Sequence, residues 1–160
     1  LYLLTTGYLG DSDLAQVSVQ EALKINAINY SGLIPWLTEI TNHKRIKSKG
    51  SLWVFSSVAS DRGRPSNYHY GAAKAALSIF CEGLLLRCYK KPFSVRIIKA
   101  GYMDTPMALN APKILCIAPK KVAETLMHNP NKRGIEYLPW WWNFIMFFVR
   151  ILPVKYAAKL

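Results

Sequence analysis

The sequence predicts an α/β domain built on a parallel sheet, and three observations carry that prediction. Compact apolar runs at residues 1–6, 51–57, 93–98 and 135–138 read as buried strands. Stretches with apolar residues at helical spacing separate them. Hairpin signals are few, so the strands are joined by crossovers rather than tight turns. No internal repeat and no linker divides the 160 residues.

Residues 1–6 form a short strand ended by Gly7, and residues 7–11 form a loop. From residue 17 to 43, Leu23, Ala27, Leu33, Leu37 and Ile40 predict one long helix, with Pro35 kinking or breaking it. The basic run at 43–50 is a solvated helix end whose cations suit the helix dipole. A buried strand over 51–57 ends in Ser56 and Ser57, and a loop rich in Asp, Arg, Gly, Pro and Asn runs on to Asn67. Residues 68–89 are helical, with Leu77, Phe80, Leu84 and Leu85 on a broad apolar face. The strand at 93–98 leads to a loop opened by Gly101; Pro119 starts a helix through Met127, and 135–138 is the last strand. Residues 1–139 make up this domain, and residues 140–160 form an apolar C-terminal helix.

Composition narrows the partners. Hydrophobic residues make up 51% and charged residues 19%, which excludes a disordered chain. A net charge of +12 points to an anionic partner: nucleic acid, an acidic membrane surface or a phosphorylated ligand. The basic residues are dispersed and no reader motif occurs, which argues against nucleic acid. Cys81, Cys88 and Cys116 have no paired short spacing, so a reducing, cytoplasmic setting is expected. The histidines are scattered, and no metal site is expected. Trp140, Trp141 and Trp142 lead into Phe144, Phe147 and Phe148. That run is too short for a bilayer span of about 20 residues but suits an interfacial helix at the inner face of a membrane. A helix completing the core, or a subunit interface, is the alternative.

Tyr70 and Lys74 lie one helical turn apart on one face. A phenol ionises near pH 10 in water, and a cation within about 5 Å moves it toward the working range. By spacing alone such a pair arises by chance. Its neighbours give it weight: Ser57 stands at the carboxyl end of a strand thirteen residues earlier, where open parallel sheets bind ligands. Asn29 is read as mid-helix, an unfavourable place for asparagine. Gly101 and Thr105 follow the next strand.

With Gly7, Asn29 and Gly32, Ser56 and Ser57, Tyr70 and Lys74, and Gly101 and Thr105 in this order, the chain resembles the short-chain dehydrogenase/reductase family over essentially its whole length. The resemblance implies a Rossmann-like doubly wound sheet and a set of site roles carried over residue by residue. Tyr70 would be the general acid/base, and Lys74 would hold the nicotinamide ribose and lower the Tyr70 pKa. Ser57 would orient the substrate carbonyl and Asn29 would seat a relay water. Gly7, Gly101 and Thr105 would line an NAD(P)H cofactor, NADH being favoured by resemblance. Ala100 stands where the family usually has proline, and residues 4–7 keep only the glycine of its Asn-Asn-Ala-Gly element. The nine glycines supply no Gly-x-x-x-Gly-x-Gly turn. By comparison with such folds roughly 80 residues, the N-terminal βαβ units, are expected ahead of Leu1, so the chain reads as a C-terminal piece, inactive alone.

Residues 7–11, 56–68 and 137–139, with Leu152 and Pro153, look closest to the reductase subunits of decaprenylphosphoryl-ribose 2′-epimerases. That resemblance implies reduction of a keto sugar on a polyprenyl phosphate; another sugar or lipid ketone is the competitor. Family analogy also implies a homo-oligomer packed through the helices at 17–43 and 68–89. The reading from another class is a non-catalytic role in assembly or membrane docking.

Overall fold

The computed structural model describes residues 1–109 and 111–160. Four parallel strands, β1 (Tyr2–Leu4), β2 (Gly50–Ser57), β3 (Phe93–Ala100) and β4 (Gly134–Leu138), lie side by side in chain order. Tyr2 pairs with Leu52, Ser57 with Ala100, and Ala100 with Leu138. The carboxyl ends of β2, β3 and β4 are therefore level at one edge. The expected α/β parallel fold is the one observed.

Strand periodicity sorts side chains between two faces. Leu52, Val54, Val95 and Ile97 point to one face and are covered by α3 (Ile34–Ile40) and α4 (Tyr68–Arg87), where Leu37 and Leu77 complete the layer, while α2 (Val19–Asn29) packs beside α4. Trp53 and Ile98 point to the other, against Val122 and Leu126 of α5 (Pro119–His128). The C-terminal helices α6 (Trp142–Ile151) and α7 (Val154–Ala157) follow β4.

The long helix predicted over 17–43 is divided. A first helix, α1 (Ser12–Val17), starts on Asp11, whose carboxylate accepts from the Asp13 and Leu14 N–H groups. Ser18 is extended and caps α2. A second break falls at Tyr30, followed by a 3-10 turn over Ser31–Leu33. Gly32 fits there because a Cβ would stand 2.7 Å from the Ala27 carbonyl oxygen. Pro35 sits in the first turn of α3, where its missing N–H costs no hydrogen bond. Asn29 thus ends α2 instead of interrupting a helix.

The basic run also differs from expectation. Its 3-10 turn, Arg45–Lys47, buries Ile46 in the core while Arg45 pairs with Glu39 outside. The tail is not one helix either, since Pro153 separates α6 from α7. Trp142 and Met146 are buried against Val58, Tyr102 and Tyr137, so α6 is packed onto the domain.

Candidate active site

The site is built where β2 and β3 end and α4 begins. Tyr70 and Lys74 project from the first two turns of α4, with the Lys74 ammonium 5.9 Å from the Tyr70 ring centre. Lys74 is 2% exposed, and its Nζ donates to the Thr6 and Phe55 carbonyls at 3.1 and 3.2 Å. It therefore ties the loop after β1 to β2. Ser56 braces α4 from below, its hydroxyl 2.6 Å from that of Ser78 and donating to the Lys74 carbonyl.

Ser57 ends β2 and opens a 3-10 turn over Val58–Ser60. Its Oγ accepts from the Ala59 N–H at 3.1 Å, and the Ser60 hydroxyl donates to the Ser57 carbonyl at 2.6 Å. Asp61 next to it is held by Lys99 and by the Tyr137 hydroxyl, which fastens this turn to β3 and β4. Asn29 is fully buried. Its Oδ1 accepts from the Tyr8 N–H, and Nδ2 donates to the Tyr8 and Ile25 carbonyls. Both amide hydrogens are spent on backbone, leaving one acceptor lone pair on Oδ1.

Burial dominates the electrostatics. It pushes the Tyr70 phenol above its ordinary value, while the Ser57 hydroxyl and the Arg64 charge pull it down. Burial also lowers Lys74 to about 8, with Cys81 opposing weakly. The resemblance implies that Lys74 lowers the Tyr70 pKa as well. Lys74 donates to two backbone carbonyls, with its ammonium 5.9 Å from the Tyr70 ring centre. At neutral pH the phenol keeps its proton and is a donor.

Two cavities meet at Tyr70. One of about 630 Å³ is lined by Gly7, Lys74, Thr105 and Met107, and by apolar residues of the α5 face. The other, about 140 Å³, is lined by Ser57, Arg64, Asn67, Gly101 and Tyr102. Thr105 borders both. A Cβ on Gly7 would lie 3.6 Å from Lys74 Nζ, 3.7 Å from Met107 and 3.8 Å from Asn29 Oδ1, ordinary contacts. Packing within the chain does not demand glycine here. Gly101 differs, since a Cβ there would stand 1.9 Å from Trp142 Nε1. Trp142, expected as a surface anchor, instead lies under the loop that carries Gly101 and Thr105, and tilts against Tyr102 at 5.7 Å.

Asn29, Ser57, Tyr70, Lys74, Gly7, Gly101 and Thr105 all lie at this end of the sheet. Sequence reasoning missed Arg64, Asn67 and Trp142 as parts of it. Arg64 carried a signal, as a cation six residues before Tyr70 in the loop joining β2 to α4.

A family model for short chain dehydrogenases matches residues 4–113. The chain belongs to the short-chain dehydrogenase family. An uncharacterized oxidoreductase of Mycobacterium tuberculosis is 32% identical over 153 residues, 94% of this chain and 61% of its own length. An uncharacterized oxidoreductase of Streptomyces coelicolor is 28% identical over 155 residues, covering 96% of this chain and 61% of that protein. The chain thus spans about three fifths of these relatives' length. Among solved structures, a short chain dehydrogenase from Burkholderia cenocepacia in complex with NADP superposes with a TM-score of 0.77 at 18% identity. The match covers 96% of this chain and 70% of that one. One from Mycobacterium paratuberculosis bound to NAD gives 0.65 at 18% identity, covering 84% and 60%. These likenesses show the fold, a Rossmann-like parallel sheet with flanking helices.

Proposed function

We propose that the protein is an NAD(P)H-dependent reductase of a ketone. The observation that carries this reading is the position of Tyr70, a protonated phenol between two cavities with Ser57 and Lys74 beside it. The larger cavity fits the nicotinamide end of a dinucleotide. Lys74 supplies a buried ammonium, Thr105 a hydroxyl, and Gly7 leaves room that a side chain would fill. A dinucleotide held there would supply hydride chemistry toward the ketone carbon, with NADH favoured by family resemblance.

The chain's own residues manage the oxygen. Ser57 Oγ orients the carbonyl, and Tyr70 donates its phenolic proton as the C=O becomes an alcohol. Lys74 holds the ribose and stabilises the phenolate left behind. Asn29 fixes the Tyr8 turn and offers its free lone pair to a water that returns the proton. Tyr70→Phe in the protein supplied with NADH removes the acid without disturbing the packing. Ketone reduction should fall by about 10²–10⁴-fold, and an unchanged rate refutes the assignment.

The finer substrate reading is a keto sugar on a polyprenyl phosphate, with another sugar or lipid ketone as competitor. It is supported by resemblance in residues 56–68 and by the +12 charge. Membrane contact belongs to the same reading and to a cytoplasmic location at the inner face. Trp140, Phe144, Phe147 and Phe148 are exposed, and residues 137–160 contain Arg150, Lys155 and Lys159 but no acidic residue. Among the described residues no helix is long and apolar enough to cross a membrane. Replacing those four exposed aromatics by Ser, with Trp142 left in place, should abolish co-sedimentation with anionic liposomes; retained binding removes the idea. A homo-oligomer is supported by exposed Leu23 on α2 and by Ile79 and Leu86 on α4, and a monomer in light scattering contradicts it.

A further inference from the structure

The smaller cavity is lined by a cation that has no partner among the described residues. Arg64 Nε is shielded from solvent and has no hydrogen-bond partner. The guanidinium forms no ion pair among the described residues, although this chain has acidic groups for Arg45 and Arg96. Arg64 as a whole is half-buried, and its shielded Nε donor left unpaired costs about 1–3 kcal/mol. Neither this cavity nor the one it adjoins, of about 670 Å³, is lined by an acidic residue. The two share Leu9, Asn67, Tyr102, Met107 and Ala108.

A second feature of the same wall has the same sign. Asn67 is the N-cap of α4, a helix of 20 residues, yet its side chain makes no capping bond. The first N–H groups of a helix have no intrahelical partner and favour negative charge. Asn67 and Arg64 both line the cavity that contains Ser57 and Tyr70. An oxyanion there would satisfy the guanidinium in the planar, two-pronged manner that carboxylates and phosphates accept.

We infer that Arg64, beside the N-terminus of α4, is a subsite for an oxyanion carried by the substrate, next to the ketone held at Tyr70 and Ser57. This rests on the reductase reading and narrows it to ketones bearing a phosphate or a carboxylate. Lys74 is left to the larger cavity, so the two cations serve different ligands.

The test compares three ketones with the NADH-supplied protein: dihydroxyacetone, dihydroxyacetone phosphate and acetoacetate. The ratio of kcat/KM for an anionic ketone over the neutral one should fall about tenfold or more in Arg64→Gln, chiefly through KM, and recover partly in Arg64→Lys. The phosphate and carboxylate arms separate the two oxyanion types. A ratio unmoved in Arg64→Gln overturns the subsite. A second measurement does not need turnover. Phenylglyoxal modification of Arg64 in the wild-type protein, read by peptide mass spectrometry, should slow severalfold with inorganic phosphate or acetate. Modification of exposed Arg87 should not slow. Equal protection of both, or of neither, also overturns it. Absence of reduction of every ketone counts against the reductase reading and leaves the protection experiment to decide the subsite.

Discussion

Under α3 and α4 the sheet meets an apolar layer, in which Leu37, Leu52, Val54, Leu77, Val95 and Ile97 have no exposed surface. Beneath α5 the opposite face is mixed. It buries Arg96 between Trp53, whose ring it covers at 4.7 Å, and Glu136. Arg96 Nη1 also donates to the Leu126 and Asn129 carbonyls at 3.0 Å, which pins the end of α5 to the strand. Toward β1, Leu1 and Leu3 line the larger cavity. The apolar face fixes Asn29, Tyr70 and Lys74 by packing the helices that carry them. The other face spends its polar groups on anchoring one helix to a strand. Apolar packing and a buried ion pair thus hold the helices on the two sides of one sheet.

Breaking the ionic anchor should have the largest effect. Glu136→Ala leaves Arg96 buried without its carboxylate, and losing one partner of a buried pair costs about 3–5 kcal/mol. Urea unfolding should show that loss; a change below about 1 kcal/mol would mean α5 is held by apolar contacts alone. The apolar face is probed by Leu77→Ala, expected to cost about 2–5 kcal/mol as a cavity opens between α4 and the sheet. A cost below about 1 kcal/mol there would mean that α4 is not packed on the sheet through this side chain.

Much of this was legible because short-range chemistry decided it. Four strands announced themselves as apolar runs, while Ser57, Tyr70 and Lys74 stood out through their order along the chain, which resembles that of the family. The division of the 17–43 stretch was not legible. Apolar periodicity continues across Ser18 and Tyr30, while the breaks are made by a hydroxyl cap and by backbone torsions that hydrophobicity does not register. Trp142 was hidden for a different reason. Its aromatic neighbours in sequence suggest a surface belt, but the contact that buries it is with Gly101, far away along the chain. Arg64 looked like one more loop cation until the fold set it in the cavity of Tyr70.

Lys74 tests how strongly the apolar face constrains the site. Burial lowers its folded pKa to about 8 from the ordinary 10.5. Below pH 8 folded and unfolded chains both carry the proton, so the group adds no slope. Between 8 and 10.5 the unfolded chain still binds the proton that the folded chain has released, and stability from this group rises with pH. Cys81 acts oppositely, because burial raises its thiol from 9.0 to about 12 and costs stability above the unfolded value. Comparing wild type with Lys74→Met keeps Cys81 in both chains and cancels most of its contribution. The wild-type unfolding free energy, relative to the variant, should climb by about 1–3 kcal/mol from pH 8 to 10.5. A flat difference would mean that Lys74 meets water in solution, and that the carbonyls of Thr6 and Phe55 do not confine it.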